Sequence, residues 1–254
     1  MTLAGEADRR GLRAVLFLLG LMVLAAGAWV LFPRMLDLAG GPESEIRAAL
    51  KAAERARDPI RLPARGAPPL RPGTLSFDRL SITVEPNGKR ARVVTTLDAA
   101  ASLEGVTVSS LGREQIRFSQ IYGGVWQVNG SLAPVLSETV GAMWRRAQAL
   151  DGSSATALGP LLDPRDDDRP LKDARLQAIL ETPGHHWEPR AWYIRVERTE
   201  VLVTEEAVLH RPGLPDEPRT SRLRLRYLPH VAGVQPVPVP EERDGSFVFL
   251  GGVL

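Results

Sequence analysis

Residues Arg222–Tyr227 alternate three arginines with apolar residues, in the order Arg-Leu-Arg-Leu-Arg-Tyr. In a strand, successive side chains point to opposite faces, and residues two apart lie about 6.6 Å from each other. Arg222, Arg224 and Arg226 are therefore expected on one face, as a basic stripe. Two interpretations stay open: the arginines pair with acids across the strand, or they bind a partner protein, an anionic lipid headgroup or a cell-wall polymer. The acids available for cross-strand pairing are Glu197, Glu205 and Glu206.

No other group of residues predicts a catalytic, metal or cofactor site. The histidines lack the spacing of zinc ligands, and the aspartates between 163 and 168 lack the Asp-x-Asp-x-Asp-Gly register of a calcium loop. The chain has no cysteine, which excludes thiolate catalysis, and it has no Gly-x-Ser-x-Gly, P-loop or Gly-x-Gly-x-x-Gly motif. A net charge of +2 gives no reason to expect nucleic-acid binding. The histidines are His185, His186, His210 and His230.

The elements that carry these residues follow from apolar periodicity. Helical spacing covers Gly41–Asp58 and Pro134–Leu150. Between these helices, alternation of apolar and polar residues predicts antiparallel strands from Leu75 to Asn129. A polar linker is expected over 151–184, and a second β-rich region, which contains the basic stripe, over 185–254.

The last predicted hairpin before Asn129 joins an aromatic strand to a Trp-containing strand through a Gly-Gly turn. Its strands read Arg-Glu-Gln-Ile-Arg-Phe over 113–118 and Tyr-Gly-Gly-Val-Trp-Gln-Val over 122–128. This hairpin resembles the closing strands of domains similar to nuclear transport factor 2, and the resemblance covers about residues 43–131. It implies a cone-shaped α+β domain. That family includes isomerases with an aspartate base and a tyrosine donor, so the resemblance implies Asp98 and Tyr122 as cone residues here.

A membrane anchor is predicted near the N-terminus. The nineteen residues Ala14–Phe32 carry no charge, and a helix of that length spans about 28 Å, close to the thickness of a bilayer's hydrocarbon core. Three arginines within residues 1–13 favour a cytoplasmic N-terminal tail, which places residues 33–254 on the other side of the membrane. The alternative is a signal peptide cleaved near Ala26-Gly27-Ala28, although the apolar run is longer than that of most signal peptides.

The fold class expected from these patterns is α+β. It comprises one N-terminal transmembrane helix, a curved antiparallel sheet with packing helices over 33–150, and a smaller β-rich region over 185–254. The excess of arginine over lysine, with abundant Ala, Gly and Pro, is typical of a GC-rich bacterial genome. The expected location is therefore a bacterial inner membrane, with the C-terminal domains in the periplasm.

The function expected from the sequence is a scaffold or binding module in a bacterial envelope complex. The layout is similar to that of an inner-membrane component of type IV secretion machines. The expected partners are membrane lipid around Ala14–Phe32 and other envelope proteins. The alternative is a membrane-tethered enzyme or small-ligand binder that uses the cone. A deep pocket lined by Asp98 or Tyr122 would favour the enzyme, and a flat or basic exposed surface would favour the module.

Overall fold

The computed structural model describes residues 40–122, 124–152, 181–197, 200–229 and 245–253. Two helices and eight strands lie within these residues. The helices are α1 (Pro42–Ala56) and α2 (Pro134–Asp151). The strands are β1 (Arg71–Val84), β2 (Arg90–Leu103), β3 (Val106–Gln120), β4 (Trp126–Val128), β5 (His186–Glu197), β6 (Glu200–His210), β7 (Glu217–Pro229) and β8 (Gly245–Val253).

The expected transmembrane segment Ala14–Phe32 and the tail 1–13 lie outside the described residues, as does most of the linker 151–184. Of the two described helices, neither is both long enough and apolar enough to cross a bilayer. The anchor therefore stays a prediction from the sequence.

Two compact units divide the chain, Met1–Ala48 and Ala49–Leu254, and their boundary falls inside α1. The first unit contains the start of α1, where Pro42 and the acidic residues Glu43 and Glu45 suit the N-terminal end of a helix. The second unit contains α2 and all the described strands. The sheet and its two faces are features of this second unit.

The eight strands form one sheet in the order β1-β2-β3-β5-β6-β7-β8, and β4 pairs with the last residues of β3. Neighbouring strands are antiparallel except β3 and β5, which run parallel from the pair Thr107–Ala191 to the pair Gly112–Val196. The expected fold class is therefore wrong. Strands from both halves of the chain share one sheet, instead of an antiparallel cone followed by a separate β-rich region.

The β3–β5 pair is the physical reason for this difference. Alternation of apolar and polar residues identifies a strand but not its partner. A parallel pair needs a long crossover, and the chain between β3 and β5 contains α2. α2 contacts β3, β5 and β8, and thereby covers one face of the sheet, which we call the covered face. Among its buried residues are Leu136, Val140, Met143, Ala147 and Leu150.

The proline-rich segment between α1 and β1 packs against α2. Ile60 and Leu70 form an isolated antiparallel bridge and are both buried. A Cβ atom added to Gly141 of α2 would lie 3.3 Å from the Cδ of Pro63 and 3.7 Å from the Cβ of Ala64. The absence of a side chain at Gly141 therefore lets this segment approach the helix closely.

A bulge in β5 brings two tryptophans onto the covered face. Trp187 and Trp192 are five residues apart, so a regular strand would point them to opposite faces. The β5–β6 register shifts between Pro189 and Ala191, which leaves Arg190 as the extra residue. Both tryptophans are buried as a result.

Candidate functional site: the open face of the sheet

The face of the sheet opposite α2, which we call the open face, carries exposed side chains on five adjacent strands. Strand register places Asp98 of β2 beside Leu111 of β3, and Leu111 beside Arg195 of β5. The same row continues through Leu202 of β6 to Arg224 of β7. All five side chains are exposed. Adjacent strands are about 4.8 Å apart, so this row is roughly 19 Å long.

A second row runs beside the first one. It contains Ser109, Tyr193, Thr204 and Arg222, each in register with the next. An open depression of about 490 Å³ lies over the two rows and is lined by residues of β2, β3, β5 and β6. It is a broad surface feature and not an enclosed cavity.

Three large apolar side chains are exposed together on this face. The exposed fractions are 54% for Leu111, 45% for Tyr193 and 36% for Leu202. Among the residues whose side chains are described, the other exposed large hydrophobic residues lie outside the strands, in the β3–β4 and β6–β7 connections. We call the three strand residues the apolar patch. Clusters of exposed apolar residues on a soluble domain mark interaction sites more often than isolated ones do.

Gly112 fixes the place of β3 beside β5. A Cβ atom at this position would lie 2.5 Å from both the Cβ and the carbonyl oxygen of Val196. No residue with a side chain fits there without moving the β5 backbone. Because Leu111 precedes Gly112, the same close approach sets the position of Leu111 next to Arg195.

Two arginines beside the apolar patch form ion pairs within the chain. Nε and Nη2 of Arg224 each lie 2.7 Å from Oε2 of Glu200, and this hydrogen bond raises the pKa of Arg224. Nε of Arg195 lies 3.3 Å from Oε1 of Glu197. Within the described residues, Arg222 has no ion-pair partner.

The structure describes the side chains of two of the three arginines in the predicted basic stripe. Arg222 and Arg224 lie on the open face as expected, and the side chain of Arg226 lies outside those described. The acid that pairs with Arg224 is Glu200, which lies opposite Arg226 in the β6–β7 register and is not among the acids proposed from the sequence. Of the acids proposed for cross-strand pairing, Glu205 faces the other way and is buried.

Asp98 and Tyr122 do not come together in the structure. Asp98 lies opposite Leu111 in the β2–β3 pair, whereas Tyr122 follows the end of β3, about 30 Å further along that strand. The Tyr122 side chain is fully exposed. Instead of lining a cone with Tyr122, Asp98 borders the apolar patch.

The covered face buries an ion pair that the sequence analysis missed. Nη1 of Arg146, on α2, donates a hydrogen bond to Oε2 of Glu205, on β6, and both side chains are almost completely buried. Nε1 of Trp192 donates to Oε1 of Glu205 at 3.2 Å. The Arg146 guanidinium also lies 5.5 Å from the centre of the Trp187 ring, within cation–π distance. This cluster fixes α2 over β5 and β6.

Glu114 fixes the other end of α2. Ala133 offers no side-chain cap and Pro134 has no N–H, so the first amides of the helix need another acceptor. The Glu114 carboxyl accepts hydrogen bonds from the amides of Val135 and Leu136, at 2.9 and 2.8 Å. Burial raises the pKa of Glu114 to about 7, even though these two bonds act in the opposite direction.

The described histidines lie near one end of the sheet. His186 and His210 face each other across β5 and β6, with ring centres 5.6 Å apart. His186 contacts the carboxylate of Asp151, and His210 lies between those of Glu188 and Asp216. Hydrogen bonds to Glu188 and then to Asp216 raise the pKa of His210. In contrast to these two, His185 is buried, with its ring nitrogens near carbonyl oxygens of Leu150 and Thr182.

Comparisons with protein-family models, with curated proteins and with solved structures gave no match for this chain. In the described part of the chain, no cluster of three or more His, Asp or Glu side chains is arranged to hold a metal ion. The open face is therefore the candidate site, on the strength of its own geometry.

Proposed function

We propose that this chain is a protein-binding module of a bacterial envelope complex, and that it docks its protein partner on the open face of the sheet. The apolar patch is the observation that carries this proposal. Its three side chains come from adjacent strands and are all exposed on the surface of the sheet. They are Leu111, Tyr193 and Leu202. Burying them against another protein would remove apolar surface from water, which stabilises a complex by about 25 cal/mol per Å² of buried apolar area.

The charges around the patch favour a protein over an anionic polymer or a lipid surface. Of the three arginines in the two rows, Arg195 and Arg224 are already neutralised by acids of the same chain. Over the two rows, a polyanion would therefore meet little net positive charge. A protein that covers the patch and offers an acid to Arg222 and a base to Asp98 matches the surface better.

The location proposed for this module is the bacterial inner membrane, with the sheet on the periplasmic side. The sequence alone supports this part of the proposal, through the uncharged run Ala14–Phe32 and the arginines that precede it.

Photo-crosslinking in cells tests the proposal. A photoreactive residue placed at Thr204 of the full chain, between the two rows, is expected to give a specific crosslinked product. Arg222→Glu should abolish that product and leave the melting temperature of the protein unchanged. Arg92→Glu is the matched control, because Arg92 is also exposed on the open face but on β2 and far from the patch. Equal yields of crosslink in the two variants would contradict the proposal.

A further inference from the structure

The unpaired charges of the two rows lie on opposite sides of β5. In the strand order β2-β3-β5-β6-β7, the central strand is β5. Asp98 lies two strands from β5 on one side, and Arg222 and Arg224 lie two strands from it on the other. Within the described residues, neither Asp98 nor Arg222 has an ion-pair partner, so both charges are available to another molecule.

The apolar residues of the patch are placed symmetrically about β5. Leu111 lies one strand to one side and Leu202 one strand to the other, and both occupy the same row. Tyr193 lies on β5 itself, between Ser109 and Thr204 of the second row. From β2 to β7, the first row therefore consists of an aspartate, a leucine, an arginine, a leucine and a second arginine.

We propose that the partner docked on the open face is a second copy of this chain; this inference rests on the proposed function and names its partner. A two-fold axis that runs along β5, in the plane between two facing sheets, brings β2 of each copy over β7 of the other. Leu111 then faces Leu202 of the second copy. Asp98 faces Arg224 of the second copy, with Arg222 of that copy one row away. Two-fold contacts of this kind require a self-complementary surface, which is what the row provides.

The residues on the axis are compatible with this arrangement. Tyr193 meets Tyr193 of the second copy, and two tyrosine rings can stack or pack edge to face. Arg195 also meets its own copy, which would be unfavourable for two bare cations. Each Arg195 has Glu197 beside it at 3.3 Å, so each copy contributes a neutralised pair that can exchange partners across the axis.

The size of the surface limits the strength of the contact. Five strands at about 4.8 Å spacing and six residues at about 3.3 Å give roughly 400–500 Å² per copy. This is below the approximately 800 Å² per partner of a standard stable interface, so the sheet face by itself is expected to form a weak dimer. Attachment of both copies to one membrane would raise their effective concentration and offset that weakness.

Site-specific crosslinking tests the axis directly, because the natural chain has no cysteine. Facing sheets pack about 10 Å apart, which suits a short bis-maleimide reagent. In the detergent-solubilised full chain, Tyr193→Cys should crosslink to itself. Leu111→Cys mixed with Leu202→Cys should give more crosslinked dimer than either variant alone. Equal yields for the mixture and for each single variant would overturn the proposed axis.

Charge reversal tests the pairing between Asp98 and the arginines of β7. Asp98→Arg and Arg222→Glu each create two like-charge contacts per dimer, so each should weaken dimerisation at least about tenfold in sedimentation experiments on the full chain. The double variant Asp98→Arg/Arg222→Glu should recover most of that loss. A double variant as weak as the singles would overturn the inference.

Two results separate this inference from the proposed function. A full chain that stays monomeric when it is reconstituted at high density in lipid vesicles, where both copies share one membrane, overturns the second copy as partner. If the Thr204 crosslink to a different protein then persists in cells and is lost in Arg222→Glu, the proposed function stands. If that crosslink is absent as well, both fail.

Discussion

The two faces of the sheet depart from the usual separation of polar and apolar residues in opposite ways. The covered face buries Glu114, Glu205 and Arg146, whereas the open face exposes Leu111, Tyr193 and Leu202. The buried charged groups have partners inside the chain, namely the amides of α2, the Trp192 indole and one another. The exposed apolar residues have no such compensation. This difference shows that the covered face positions α2, and it leaves the open face as the surface on which we propose that a partner docks.

The largest expected effect comes from breaking the buried ion pair. Glu205→Ala leaves the Arg146 guanidinium buried without its counter-charge, which typically costs about 3–5 kcal/mol in the free energy of unfolding. Glu206→Ala is the matched control, because Glu206 is the next residue and is exposed on the other face. Urea denaturation should show a change within about 0.5 kcal/mol for that control. A similar small change in Glu205→Ala would contradict a positioning role for the pair.

The second prediction concerns the pH dependence that Glu114 gives to stability. Its pKa is about 7 in the folded protein and near 4.5 when unfolded, so the folded state favours the protonated carboxyl. This contribution is complete below about pH 4.5 and is lost as the pH rises through about 7. At about 1.4 kcal/mol per pKa unit, the expected loss is about 3 kcal/mol. Glu114→Gln should lack this dependence in urea denaturation at pH 5 and pH 8; the same slope in both proteins would refute it.

A smaller effect is expected from Gly112→Ala, which tests the junction between the two faces. The added Cβ would lie 2.5 Å from the carbonyl oxygen of Val196, so β3 and β5 must separate locally, at a cost of about 1–3 kcal/mol. Gly41→Ala is the control, because a Cβ there meets nothing within 4 Å. Thermal unfolding measures both variants. Equal melting temperatures would show that β3 and β5 are not held as closely as described.

The smallest effect on stability is expected on the open face. Tyr193→Thr and Leu202→Thr replace exposed apolar side chains by a residue that strands favour, so the free energy of unfolding should change by no more than about 0.5 kcal/mol each. The double variant should nevertheless lose the Thr204 photo-crosslink. A large loss of stability with retained crosslinking would reverse the assignment of the two faces.

Several elements could be predicted from the sequence because burial imposes a period on apolar residues. The sequence predicts α2 over Pro134–Leu150, and the helix lies at Pro134–Asp151. Most of the apolar residues that recur at helical spacing along it are buried. The alternation of apolar residues in β1 shifts by one position at Asp78-Arg79. The register between β1 and β2 shifts there as well, and Arg79 has a φ of 53°. These features depend on local spacing alone.

Features that depend on which elements meet could not be predicted in the same way. Nothing in the spacing of β3 shows that β5 is its partner. Glu200 pairs with Arg224 only because of the β6–β7 register, which no residue pattern shows. Arg146 lies in the apolar phase of α2, three residues after Met143 and four before Leu150. Only the packing of the helix shows that its partner is Glu205.

The sequence carries one further signal of the covered face. Glu205 occupies an inward position in the alternation of β6, and Glu114 does so in β3. An acid in the apolar phase of a strand predicts a buried carboxyl, which needs a cation or amide donors nearby. The residues that share this phase in β6 are Val201, Val203, Ala207 and Leu209.

The late arrival of β5 has a consequence for how the chain is made. During synthesis β3 emerges early, but its parallel partner follows only after α2 and the whole linker have been translated. Until then β4 protects only the last three residues of that edge, and the remaining amides and carbonyls are free to pair with another nascent chain. Polypeptides that terminate before His186 should therefore aggregate. The intact protein should fold slowly, and it should depend on chaperones until β5 has been synthesised and has paired with β3.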